Sequence, residues 1–101
     1  MKRYHGSADR SVLVEAPEGA YPLPHKVRHS PTGYAWSYGG SGPADLARSI
    51  LWDHLGREPS PALYQDFKWD FVAKFDDTWT LRAEDIDAWL SKREPELEWD
   101  R

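Results

Sequence analysis

Gly39, Gly40, Ser41 and Gly42 stand between an aromatic run and a segment of helical periodicity, a placement that suits anion chemistry. Backbone amides without side-chain cover, presented at a helix N-terminus, hold phosphates and carboxylates. The same glycines are also a compact way to turn a corner. Tyr34, Trp36 and Tyr38 alternate just before this loop, and Lys26, Arg28 and Arg48 are the cations nearest to it along the chain. Aromatic faces for stacking, with cations beside them, are a common way to hold bases and nucleotides. The aromatic run reads equally as core, because such side chains on a strand bury large areas.

Other constellations are incomplete. The loop lacks the lysine of a P-loop, and Asp45 stands where the dinucleotide fingerprint needs its third glycine. Asp45 is expected in the first helical turn, where its charge would partly occupy the positive end of the dipole. Ser41 echoes a nucleophile elbow, but the second glycine of that pattern falls on Pro43. His25 and His29 are four apart, yet Pro22, Pro24 and Pro31 favour extended chain. At about 3.3 Å per residue the two imidazoles are then about 13 Å apart, too far for one ion. Asp66 and Asp70 share a helical face, and Lys74 follows Asp70 at the spacing of an ordinary ion pair. No metal site, cofactor or catalytic residue is assigned, and a metal- or serine-dependent hydrolase is the least favoured reading.

The elements that must position these residues follow from pattern. Residues 11–15 are rich in β-branched side chains and read as a strand, with another around Tyr4. A prolyl-rich extended piece spans residues 23–29, and residues 33–38 form the strand that feeds the loop. Gly42 and Pro43 fit a helix N-cap and first position. Leu46, Ala47, Ile50, Leu51 and Leu55 follow at helical spacing, and Gly56 supplies the stop. Ser60 and Pro61 open a second helix whose apolar stripe runs from Leu63 to Phe75. Trp79 to Leu81 is a short strand, and Ala83–Lys92 a third helix with acids at its start and Lys92 near its end. The expected fold is α+β: a small antiparallel sheet of three to four strands packed against about three helices.

With 101 residues the chain is one domain, residues 1–95, followed by a loose acidic tail at 96–101. Size scaling leaves about two thirds of the surface buried, enough for a core without staples. There is no cysteine, which excludes disulfides and thiolate metal sites and is compatible with a cytoplasmic location. No apolar run approaches a membrane span, and the start carries no signal-peptide pattern. A net charge of −4 argues against nucleic acid as the main partner. Residues 1–30 are basic and the last third is acidic.

The stretch His29-Ser30-Pro31-Thr32-Gly33-Tyr34-x-Trp36-x-Tyr38-Gly39-Gly40-Ser41-Gly42-Pro43-Ala44-Asp45-Leu46-Ala47, followed by Ile50-Leu51, resembles a family of small uncharacterised proteins of bacteria, archaea and phages. Tyr64 to Lys68, and Ile86 with Trp89-Leu90, fit the same pattern. The resemblance implies a stand-alone domain and transfers no catalytic residue; carriage by phages associates it with defence or counter-defence. Ser37 departs from the pattern where glycine is common.

The functional expectation is a non-enzymatic module that binds an anionic small ligand, such as a nucleotide, at residues 39–45. Gly39, Gly40, Ser41 and Gly42 would supply amides and a hydroxyl, Lys26, Arg28 or Arg48 the charge, and Trp36 or Tyr38 the stacking face. The alternative is a protein-binding adaptor or inhibitor acting through an aromatic and acidic surface.

Overall fold

Alternation of apolar and polar residues builds the sheet. In the computed structural model, which describes residues 1–30 and 33–93, strands β1 (Arg3–Gly6), β2 (Val12–Ala16), β3 (Gly19–Pro22) and β4 (Trp79–Arg82) form one antiparallel sheet in the order β3-β2-β1-β4. The expected tail at 96–101 lies outside the described residues. Tyr4 pairs with Val14 on one side and Leu81 on the other. Tyr4, Val12, Val14, Ala16, Trp79 and Leu81 therefore share the buried face, while Leu13, Glu15 and Thr80 are exposed on the other.

Helices α1 (Ser41–Leu55), α2 (Pro61–Asp70) and α3 (Ala83–Lys92), with a 3-10 turn over Val72–Lys74, cover the inner face. The fold is thus α+β, a four-stranded antiparallel sheet packed against three helices. Helix α1 is the centre of the molecule. Every residue from Gly42 to Leu51 is buried, because sheet, α2 and the loops on either side surround it. It opens two residues earlier than Gly42 and Pro43 suggest: Gly40 is the N-cap, with Ala44 N–H on its carbonyl at 3.0 Å. Gly56 closes it at φ 74°, donating to Trp52 O.

Ser60 caps α2 by accepting from Leu63 N–H. The helix stops at Asp70 rather than running to Phe75, because Phe71 leaves helical space at φ −122°, ψ −64°. The 3-10 turn then drops Val72 into the core and lays Phe75 on Trp79, ring centroids 4.1 Å apart. Asp66 and Asp70 dock α3 by accepting from Arg93 and the Trp89 indole, each at 2.7 Å; the expected pairing of Asp70 with Lys74 is absent among the described residues.

Two expected strands are not strands. Residues 23–29 carry no ladder, and the third strand lies earlier, at Gly19–Pro22, where Pro22 sits on the sheet edge. The amides of Arg28, His29 and Ser30 donate instead to the Asp45 carboxylate. Residues 33–38 are also irregular, because Ser37 adopts φ 76° and breaks the alternation.

Candidate functional site

The loop before α1 is shaped by close approach. Trp36 is buried, donates to Asp77 O and meets Trp79 edge-on at 5.6 Å. Ser37 donates its N–H to Val72 O and its hydroxyl to Phe75 O, which fixes the turn. Beyond that turn the Tyr38 ring folds back over Gly40, the tip of Trp69 lies on Gly39, and Ala35 sits against Gly42. A Cβ at any of these three glycines would collide with its neighbour, at 2.4, 2.1 and 2.7 Å respectively. At Gly42 the obstacle includes the Ala35 backbone, so packing requires the glycine there, whereas at Gly39 and Gly40 it is an exposed ring that can move.

That packing leaves donors over. The N–H groups of Gly39, Gly40, Ser41 and Gly42 have no acceptor among the described residues, and neither a side-chain cap nor an acidic residue occupies the first turn of α1. The positive end of the helix is uncompensated. Asp45 does not neutralise it, contrary to the sequence expectation. Its carboxylate is fully buried and faces away, onto the segment 25–30.

Lys68 stands at the same end of the molecule. A short connection joins α1 to α2, so the C-terminal half of α2 lies beside the N-terminal half of α1. Lys68 is 7 % exposed and has no hydrogen bond or ion pair among the described residues. Its ammonium sits 4.5 Å from the centroid of the Trp69 ring, whose far rim covers Gly39. Tyr38 and Trp69 are both 55 % exposed and flank the loop. Sequence reading missed Lys68 and Trp69. The available signal was Lys68 itself, four residues after Tyr64 on the buried stripe of α2, where a charge calls for a reason.

The cations expected at the loop are placed elsewhere. Arg48 is held at the middle of α1, donating to Lys26 O at 2.9 Å and pairing with Glu58 at 2.8 Å. Lys26 and Arg48 both lie 4.8 Å from the Trp52 ring. At 1.5 Å rise per residue, Arg48 starts about 10 Å down the helix from Ser41. The Arg28 side chain lines a cleft with Arg57 and Ser60. Of the expected ligand residues, Gly39, Gly40, Ser41, Gly42 and Tyr38 come together; Trp36 is buried beneath them, Lys26 and Arg48 meet at Trp52, and Arg28 lines the cleft at the α1–α2 connection.

Two carboxylates, Asp45 buried and Asp53 half-buried, organise this frame. Asp45 accepts from Arg28, His29 and Ser30 amides and from His25 Nε2, which must carry the proton since a carboxylate only accepts. Asp53 accepts from Tyr4 and Tyr21 hydroxyls at 2.7 Å each and from Lys2 at 3.2 Å. Burial alone would raise both carboxyls, but these donors outweigh it and hold each below its ordinary range. The Tyr34 phenol is pushed up to about 12 by burial. His29 bonds the Tyr64 hydroxyl at 2.7 Å and His54 bonds Asp87, so His25 and His29 serve separate partners rather than one ion.

Among the described residues no helix is long and apolar enough to cross a membrane. No curated protein and no solved structure matches the chain. A family model does match, over residues 4–92, which takes in the sheet except for Arg3, all three helices and the glycine loop. It describes a family of unknown function, DUF6166, and the chain belongs to that family.

Proposed function

We propose that the domain is a non-enzymatic module that holds a small anionic ligand, such as a nucleotide, at the start of α1. The observation that carries this reading is the presence, at one end of the molecule, of amides at residues 39–42 and a buried lysine, Lys68, none of which has an acceptor or carboxylate partner among the described residues. Fixed amides and one cation, already in place before a ligand arrives, favour an anion at low reorganisation cost. In this arrangement the Ser41 hydroxyl adds a further donor, and Tyr38 and Trp69 offer exposed faces to a planar group. Trp36 supports the loop from beneath rather than stacking. The lack of cysteine agrees with a cytoplasmic setting.

Titration calorimetry with inorganic phosphate, a nucleoside monophosphate and the matching nucleoside tests it. The phosphate-bearing compounds bind and the nucleoside alone does not. Lys68→Met, which keeps the buried stem, weakens binding about tenfold without unfolding the chain. Silence from every phosphate at about 10 mM, or unchanged affinity in Lys68→Met, would remove the reading.

The protein-binding alternative draws on the same exposed rings, since interfaces concentrate Trp and Tyr. It is favoured if Tyr38→Ala and Trp69→Ala abolish capture of a partner from the native host while Lys68→Met does not.

A further inference from the structure

A second concavity lies at the opposite end of the α1–α2 pair. It has a volume of about 550 Å3, within the range of about 300–1,000 Å3 common for small-molecule sites. Its floor is apolar, built from Leu55, Pro59, Pro61 and Leu63. Its polar lining is Arg28 together with Arg57, Glu58 and Ser60 from the segment that joins the helices.

The charges in this cleft do not cancel. Glu58 is its carboxylate, and Arg48 engages it at 2.8 Å while the other arm of the same guanidinium is anchored on Lys26 O. Arg48 is 6 % exposed, so the carboxylate is fastened to a cation set behind the wall. Arg28 and Arg57, in contrast, have no ion pair or hydrogen bond from their guanidinium groups among the described residues. The Ser60 oxygen accepts from Leu63 N–H and its O–H has no acceptor among the described residues, Pro61 has no N–H, and the Ala62 amide at the start of α2 has no acceptor among the described residues. In a chain of net charge −4, two guanidiniums with no partner among the described residues, beside an apolar floor, form a surface of opposite sign.

We propose that this cleft is a second binding site, separate from the α1 loop, for a small organic anion whose carboxylate or phosphate is gripped by Arg28 and Arg57 while its apolar body rests on Leu55, Pro59 and Leu63. Guanidiniums suit both head groups because their donor forks match paired oxygens. A neutral analogue forfeits that grip, and a small inorganic ion forfeits the floor.

The test is amide NMR of the full chain titrated with benzoate, phenyl phosphate and, as the uncharged control, benzyl alcohol. At least one anion moves the Arg28, Arg57, Ala62 and Leu63 resonances at about 10 mM or below, and the alcohol does not. The tighter of the two anions assigns the head group. The double variant Arg28→Gln/Arg57→Gln, altered at two exposed side chains, keeps its spectrum elsewhere and loses affinity about tenfold or more. Lys68→Met leaves this binding unchanged, which separates the cleft from the α1 loop. The proposal is overturned if neither anion moves these resonances, if benzyl alcohol binds as well as the anions, if the double variant binds like the parent, or if the shifts fall on residues 39–42 instead.

Discussion

Asp45 and Asp53 stand eight residues apart on α1, with Ser49 midway, and each carboxylate ties a different stretch of chain to that helix. Asp45 gathers the irregular segment 25–30, Ser49 takes the Lys26 amide, and Asp53 gathers Lys2 and two tyrosines from β1 and β3. Positions i, i+4 and i+8 form one slowly winding stripe, so a single helix holds both the loop and the sheet.

The Asp45 carboxylate is an acceptor facing only donors. Asp45→Asn turns an amide NH2 toward those N–H groups and leaves at least one of them unpaired in the interior. The expected loss is about 2–4 kcal/mol, read as a lower urea midpoint at unchanged slope. A loss under about 0.5 kcal/mol would show that the segment 25–30 is held by other contacts.

Both carboxyls lie below the ordinary value of 3.8 in the folded chain. A depressed folded value means that their stabilisation is complete above the unfolded pKa and is lost as pH falls through the folded one. Unfolding free energy should therefore stay level in acid down to about pH 5 and drop below about pH 4. Asp9, Glu15 and Asp85 are also shifted down, but all three are solvent-facing and add little. Urea melts across this range on Asp45→Asn and Asp53→Asn should show a shallower acid slope than the parent. Parallel slopes would assign the acid sensitivity to other groups.

Gly42→Ala and Gly39→Ala separate two kinds of crowding. At Gly42 the new methyl meets Ala35 Cβ at 2.7 Å and Ala35 N at 3.1 Å, so backbone must move. The gain of about 1 kcal/mol in helix propensity is outweighed, and a net loss of about 1–3 kcal/mol follows in thermal melts. At Gly39 the obstacle is the tip of an exposed tryptophan, which can swing away. Gly39→Ala should change stability by less than about 1 kcal/mol yet alter tryptophan emission as Trp69 leaves the loop. Equal destabilisation by both would mean that Trp69 is as fixed as the core.

Ser37 holds φ 76° and keeps its hydroxyl on Phe75 O. Ser37→Gly relieves the left-handed strain and loses that hydrogen bond, two effects of about 1 kcal/mol each that offset. Ser37→Val keeps the strain, sharpens it with a branched side chain and loses the bond, so it costs about 2 kcal/mol or more. The melting temperatures should rank parent and glycine variant together, with valine well below. A glycine variant as weak as the valine one would place the whole effect in the hydrogen bond.

Local signals sufficed where local chemistry decides the outcome. Val12 and Val14, β-branched at alternate positions, make a strand, Ser60 with Pro61 starts α2, and Gly56 ends α1. Reading failed where distant groups set the backbone. Residues 23–29 look extended, but their amides are claimed by Asp45, and Tyr34, Trp36 and Tyr38 alternate in sequence yet part company at Ser37. The glycine loop and Tyr38 of the candidate site were legible because they are contiguous. Trp69 was not, and Lys68 showed only as a charge on a buried stripe, because only the antiparallel return of α2 brings them to the start of α1.

The central place of β1 governs how the chain can be made. Tyr4 is synthesised well before Leu81, one of its two strand neighbours. A growing polypeptide can fold β1, β2 and β3 as successive hairpins, but β1 keeps a bare rim until β4 emerges. Contacts of such long sequence separation slow folding and leave the intermediate sticky. A ribosome stalled before Arg82 thus carries a sheet with an unfilled place beside Tyr4, which any strand from a neighbouring nascent chain can take.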